Sequence, residues 1–467
     1  MEMWYWRVII YYWQKEKKTN NQPKPAMAQL PAESITTTGI PATSTVKNKN
    51  QFLVPFILII SLFFLWGMVH NLDSILIPHL KKACELNNRQ STLIDTAVYL
   101  AYFLMAIPAG IILKKWGYKI GIIGGLFVAM IGALLFYPAA DSRSYELFLI
   151  ALFIIGCGIA VLETAANPYA AVLGPQETAG IRLNLAAAFN GSAAFVAALI
   201  GRNFILSNIE HTKEELAAMP VAEKLAYLNT ESDAVKVPYL VLAGGFLLVA
   251  VLFSLFHFPE VKSESKKTKL SEFPRALRHK HLSWAVIAQF AYVGAQVCIT
   301  SFFIRMAQQG GGFDEDTAAA YLGIYGLLFM VGRFAGTFFL KFVKQQKLLT
   351  IYAVICTLLC AIAVLGKGEY VVYALCGLGF FVSIMFPTIF ALGIVDLGED
   401  TKIGSSLIIM SIIGGAIFPY IMGTIVDMSN DKIQPGYIVP LICFLVIIYF
   451  SVSGYKVKIH EKPVELV

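Results

Sequence analysis

Between residues 146 and 172 the chain reads ELFLIALFIIGCGIAVLETAANPYAAV. About 20 consecutive, predominantly apolar residues carry an α-helix across a hydrocarbon core of about 30 Å, and this stretch is longer than that, with Glu163 as the charge buried inside it. In hydrocarbon every backbone N–H and C=O has to be satisfied within the segment, so a helix is the expected conformation. Stretches of the same kind recur along the chain. With this one they give the spans 53–78, 93–113, 120–138, 146–172, 183–207, 238–257, 283–307, 318–341, 348–365, 370–394, 403–427 and 436–455. The fold class predicted is an all-α polytopic membrane protein with twelve transmembrane helices, and its first partner is the lipid bilayer.

Composition agrees and narrows the function. The 467 residues are 57% hydrophobic and 14% charged, where soluble domains carry about 25% charged residues, so a soluble enzyme and a disordered chain are excluded. The net charge of +7 comes from short Lys and Arg tracts between the spans, not from one basic face, and nucleic acid is not an expected partner. Most of the seven cysteines lie inside spans, with no CxxC pair, which argues against a disulfide framework or a zinc site. No GxxxxGK[ST] loop is present, so a transporter of this sequence would need no cofactor and would draw on a gradient, not on ATP.

Lys and Arg are more than twice as frequent in the N-terminal tail and the even-numbered loops as in the odd-numbered ones. By the positive-inside rule both termini are expected in the cytoplasm of a bacterium, with the protein in its inner (plasma) membrane. The richest tract, Lys262 to Lys280, falls between the sixth and seventh spans. This gives a tail of 1–52, a six-helix bundle of 53–257, a basic cytoplasmic linker of 258–282, a second six-helix bundle of 283–455 and a tail of 456–467. A faint repeat supports the division: Pro168 precedes Leu173-Gly174 in the fourth span as Pro387 precedes Leu392-Gly393 in the tenth. The first 52 residues, aromatic and apolar to Trp13 and then polar, read either as an amphipathic surface segment or as a start assigned too early, with Met27 the beginning.

Ionisable residues inside spans are functional candidates, because each is costly in hydrocarbon unless paired, hydrated or neutralised. Asp95, Arg202 and Arg305 lie near span ends and can snorkel to water. Glu163 stands deep in its span, and a carboxyl that must shed its charge to be buried can carry a proton; the structural alternative is a permanently protonated hydrogen-bond donor. Asn167 shares its face, and Pro168 frees a backbone carbonyl one turn earlier. In the first span Asp73 is a second proton candidate beside Asn71; His70, three residues before it, shares its face, and the two read as a proton relay or as a satisfied buried pair, with the proton role given to Asp73 and not to His70. The seventh span carries Gln289, Tyr292 and Gln296 on one face, a stripe of amides and an aromatic ring suited to a polyol or sugar, or equally to interhelical glue. Asn184 and Asn190 are weaker cases. Arg333, toward the cytoplasmic part of the eighth span, is read as a gate or a salt bridge between halves.

Several of these residues sit in longer motifs. Phe64-Leu65-Trp66-Gly67 through Ile75-Leu76-Ile77-Pro78-His79, Leu162 to Pro168, Arg182-Leu183-Asn184-Leu185, Trp284 to Gln296, Pro387-Thr388-Ile389-Phe390 and Thr401-Lys402 before Gly404-Ser405-Ser406 resemble, in order and over residues 52–455, the L-fucose/proton symporter family of the major facilitator superfamily. The resemblance implies two six-helix bundles around a central cavity, alternating access, and proton-coupled uptake of a monosaccharide, with a Glu on the fourth helix and an Asp on the first as essential acids. Glu163 matches the former. The family reads Asn-Leu-Asn-Asp where this chain has Asn71-Leu72-Asp73-Ser74, which displaces the acid by one residue, about 100° of helix. Ala187 stands where fucose permeases carry Gln, and cavity amides govern which hydroxyl pattern is satisfied.

The expectation is therefore a monomer that takes up a small neutral sugar with protons, most simply L-fucose. Glucose, galactose or an amino sugar is the alternative within the family. A uniporter or sensor without proton coupling, and a drug exporter with a greasier cavity, are the alternatives outside it.

Overall fold

The computed structural model describes residues 53–84, 88–200, 215, 219–256, 272–430 and 432–457. Helix follows helix, with no strand among the described residues, and each of the twelve spans coincides with helix over most of its described residues. The first span is Leu53–Ala83. The second and third form one run, Asn88–Ser142, of 55 residues; unbroken, it would be about 80 Å long, far more than a bilayer core. It is broken at Gly117, whose φ of 82° is a left-handed value that glycine alone takes without steric cost, and beyond it Gly121 returns against Leu113.

The fourth span, Tyr145–Val172, is capped by Ser144, whose hydroxyl accepts from the Leu147 N–H at 3.3 Å. At its other end Arg182 donates to the carbonyls of Ala170 and Ala171, which the helix leaves unpaired. The fifth is Ala179–Ile200 and the sixth Lys236–Leu255. A polar helix that the sequence reading did not anticipate, Val221–Asp233, precedes the sixth. Ser232 pins it to the Ala140 carbonyl at 3.0 Å, and Lys236, just beyond it, pairs with Asp233 and with Asp141 in the distant turn after the third span.

The second half runs through Lys280–Gly311, Glu315–Phe339 and Gln345–Leu365 as spans seven to nine. The tenth is split into Glu369–Val382 and Met385–Gly393, where Pro387 lacks the N–H that would continue the ladder. The eleventh passes from Thr401–Met410 through a 3-10 turn, Ser411–Ile413, into Gly414–Met428. The twelfth, Ile438–Tyr449, ends in a π turn at Phe450–Gly454. Large apolar side chains point outward along the bundle; Leu248 and Leu358 are each 60% exposed, as lipid-facing residues should be and as soluble surfaces rarely allow in number.

Contact between the halves is made by the fifth span on the eighth and tenth, and by the eleventh on the second and fourth. These contacts gather at the end of the bundle that carries the even-numbered loops. There Lys114 Nζ meets Glu272 Oε2 at 2.6 Å, both largely buried, the Lys402 ammonium lies 5.0 Å from the centre of the Tyr118 ring, and Asn184 Nδ2 donates to Thr388 Oγ1 at 3.2 Å. Gly110 is so close to Ser406 that a methyl group there would fall 2.7 Å from its Oγ. Pro168 leaves the Thr164 carbonyl without an intrahelical donor, and Ser405 Oγ, from the other half, supplies one at 2.8 Å. The even-loop end is sealed by these contacts.

Candidate functional site

Above this seal lies a cavity of about 460 Å³ between the halves, walled by both. Its size is within the ~300–1,000 Å³ of small-molecule sites. Val98, Thr300 and Tyr325 line it, each on the odd-loop half of its span, so the cavity extends away from the sealed end.

The acidic corner is built by the first, second and fourth spans. Glu163, 4% exposed, is reached from the second span by Tyr102, whose hydroxyl donates to Oε1 at 2.6 Å. Tyr102 in turn lies 3.1 Å from Nε2 of His70, and His70 opens to the cavity. Asn167, one turn beyond Glu163, lines the cavity and donates Nδ2 to the Glu163 carbonyl at 2.8 Å. Asn71 is held to its own helix by Nδ2 on the Gly67 carbonyl at 2.6 Å and also lines the cavity. Gly67 makes this corner possible: a Cβ there would stand 2.6 Å from the Asn190 carbonyl, so the first and fifth spans pack backbone to backbone.

On the fifth span Asn190 donates to the Phe63 carbonyl at 3.1 Å and accepts from Arg333 at 3.3 Å. Arg333 also donates to the Ala187 carbonyl and lies 4.6 Å from the centre of the Phe329 ring. It therefore ties the eighth span to the fifth, one half to the other, where it lines the cavity.

The seventh-span stripe is divided. Gln296 lines the cavity. Gln289 is fully buried, and neither its Oε1 nor its Nε2 has a hydrogen-bond partner. Tyr292 is 1% exposed, its hydroxyl likewise without a partner and its ring edge-on to Phe386, which does line the cavity. Seven residues are about 10 Å of helix, and this sets Gln289 toward the even-loop end of the span, below the cavity that Gln296 lines. Of the other candidates, the side chains of Asp73 and Asp95 and the whole of Arg202 lie outside the described residues, and Arg305 lies 5.9 Å from the centre of the Phe302 ring, away from the cavity. Among the described residues no group of three or more His, Cys, Asp or Glu is placed to hold a metal.

The sequence reading passed over Tyr99, Tyr102, Thr300 and Phe329, which line the cavity, and undervalued His70 and Asn190. Aromatic residues are common in spans and carry little signal alone. The available clue was Tyr99 and Tyr102 at i,i+3, one face carrying two hydroxyls into an apolar segment.

A family model described as Major Facilitator Superfamily matches the chain in two overlapping stretches, residues 7–198 and 52–419. Over 411 residues, 86% of this chain and 94% of the relative, the sequence is 43% identical to the L-fucose-proton symporter of Escherichia coli strain K12. Over 416 residues, 89% of this chain and 96% of the relative, it is 38% identical to a glucose/galactose transporter of Brucella abortus. The crystal structure of the transporter FucP in the outward conformation matches with a TM-score of 0.79 at 42% identity, covering 86% of this chain and 98% of that one. The proton:xylose symporter XylE shares the fold alone, with a TM-score of 0.63 at 13% identity over 86% of this chain and 95% of that one.

Proposed function

The chain belongs to the Major Facilitator Superfamily, and from that premise we propose that it is a proton-coupled monosaccharide uptake transporter, taking up L-fucose with protons by alternating access. What carries the reading is Glu163: a carboxyl on the wall of a cavity between two halves, buried, and joined through the Tyr102 hydroxyl to His70, which is exposed in that cavity. With the basic even-numbered loops in the cytoplasm of a bacterial inner membrane, the seal is cytoplasmic and the cavity faces outward. Sugar enters from outside and hydrogen-bonds Asn71, Asn167 and Gln296, while the aromatic walls take its C–H faces. Protonation of Glu163 removes the charge that would otherwise have to be carried across, the halves rock, and Arg333, Lys114 and Ser405 release their partners as the cytoplasmic side opens. A proton falling through 100 mV supplies about 2.3 kcal/mol, enough for tens-fold accumulation of a neutral sugar.

Gln289 and Tyr292 enter the cycle in its second half. Their polar atoms are unpartnered in the sealed end and gain water or sugar once that end opens, which biases the protein toward opening. This gives two variants opposite signatures. Gln296→Ala removes a sugar contact and is expected to raise the apparent KM about tenfold. Gln289→Leu removes two orphaned polar atoms, stabilises the sealed state by about 1–3 kcal/mol, and is expected to lower kcat by about 5- to 150-fold with KM raised little or not at all. Initial-rate kinetics on both variants decide it; a raised KM in Gln289→Leu with kcat intact would place Gln289 in the outward sugar site after all.

The overall reading is tested by recording external pH in weakly buffered, de-energised cells while L-fucose, galactose, glucose and N-acetylglucosamine are added in turn. Alkalinisation on L-fucose is expected. Uptake of labelled sugar with no pH change would make the protein a uniporter. Galactose or glucose is the second reading for the sugar, favoured by Ala187, which lines the cavity with a methyl group where the fucose permeases bring an amide, and by the Brucella relative.

A further inference from the structure

His70 and Glu163 occupy the two ends of one hydrogen-bonded chain. The His70 side chain is 41% exposed, on the cavity wall, and that of Glu163 is 6% exposed behind it. Their direct separation, Nε2 to Oε1, is 3.7 Å, too long for a hydrogen bond. Tyr102 fills the gap. Its oxygen is 3.1 Å from His70 Nε2 and its O–H donates to Glu163 Oε1 at 2.6 Å, while the imidazole and phenol planes lie 20° apart. A hydroxyl accepts and donates at once, so it can conduct a proton between partners that are within ion-pair distance but too far apart to hydrogen-bond directly.

We propose that His70 is the proton-entry group of the transporter, passing protons from cavity water through Tyr102 to Glu163; this rests on the symport reading above. In the transfer, the Nε2–H bond of the imidazolium breaks as a new O–H bond forms on Tyr102. The original Tyr102 O–H bond breaks as an O–H bond forms on Glu163 Oε1. Tyr102 ends as it began, imidazolium and carboxylate end as a neutral pair, and the only reactant is the proton that water delivered. Histidine is the side chain whose ordinary titration falls between pH 5 and 8, so it loads from water at physiological pH where a phenol does not. Other titratable or charged groups share this site: Tyr99, Tyr325 and Arg333 line the same cavity, and Asp73 lies on the same helix as His70.

The test uses the full chain in proteoliposomes, with labelled L-fucose, or with galactose if that is the sugar that alkalinises the medium. His70→Gln, Tyr102→Phe and the double variant are compared for uphill accumulation driven by an imposed pH gradient and for sugar counterflow, which needs no net proton movement. In each single variant accumulation is expected to fall at least tenfold more than counterflow does, and the double variant should be no worse than the worse single one, as for two links of one chain. His70→Gln should also flatten the limb of the pH profile near neutrality. Tyr102→Phe deletes one oxygen from a fully buried ring and carries the test if His70→Gln fails to insert. An unsubstituted protein with no sugar-dependent pH change would overturn the symport reading and the relay together. If the unsubstituted protein couples and His70→Gln matches it in accumulation and pH profile, or if the two substitutions are additive, the relay alone is wrong.

Discussion

In Glu163→Gln, uphill accumulation of sugar is expected to collapse from tens-fold to simple equilibration, and sugar-induced alkalinisation to disappear, while counterflow persists. The substitution is conservative where geometry matters. Glutamine has the same length and volume, its carbonyl oxygen can still accept from the Tyr102 hydroxyl that now donates at 2.6 Å, and the backbone carbonyl that receives Asn167 Nδ2 is untouched. What it lacks is a proton to release. A permanently neutral group at this position lets the halves rock with or without a proton, so the about 2.3 kcal/mol that each proton supplies per 100 mV no longer enters the cycle. The decisive comparison is with Asp73→Asn in the same vesicles. If Glu163→Gln keeps full uphill uptake and Asp73→Asn abolishes it, the proton is carried by the first span and Glu163 is a hydrogen-bond acceptor that holds Tyr102.

The parts of this molecule that a sequence can reveal are those where one segment decides by itself. A span is recognised because its own residues must satisfy lipid and its own backbone, and so the twelve spans could be placed one at a time. Glu163, Asn71, Asn167 and Gln296 were visible for the same reason, since a polar residue in an apolar run needs an explanation wherever its neighbours are. The helix Val221–Asp233 was not visible because it is polar and is held by Ala140 and Asp141 from a distant turn. The role of Arg333 needed its acceptors on the fifth span, Ala187 and Asn190. The depth of Gln289 depends on which end of the bundle is closed, a property of the state rather than of the helix. His70 was paired in the sequence reading with the nearest acid along the chain, Asp73, whose side chain lies outside the described residues; the fold also brings His70 near an acid on another helix, across a tyrosine from a third.

The second large effect concerns how Glu163 is held in place. In Gly158→Leu the folded protein itself is expected to be lost, with monodisperse yield in detergent down at least tenfold. Gly158 is on the fourth span, and a Cβ there would fall 2.5 Å from the amide nitrogen of Ala129 and 2.7 Å from the carbonyl oxygen of Gly125 on the third. Both are backbone atoms of a helix, so no rotamer change relieves the clash. The contact is reciprocal and extended: a Cβ on Gly132 would fall 2.6 Å from the Ile155 amide nitrogen, and one on Gly125 3.0 Å from the Gly158 carbonyl oxygen. Lipid tails are as apolar as leucine, so helices in a bilayer associate through close packing of small residues rather than through a hydrophobic force. Wedging the third and fourth spans apart forfeits that packing along the whole contact and costs at least the upper end of the about 1–3 kcal/mol of ordinary overpacking. Gly124→Ala is the control, because nothing lies within 4 Å of a Cβ at that position; it should be neutral, or stabilising by about 0.5–1 kcal/mol through helix propensity. A Gly158→Leu protein that purifies and melts like the parent would show that the two spans are held elsewhere. Protein that survives in low yield should in addition be uncoupled, since Glu163 is only five residues, about 7 Å, along the displaced helix, and a shift of 1 Å is enough to break its 2.6 Å bond to Tyr102.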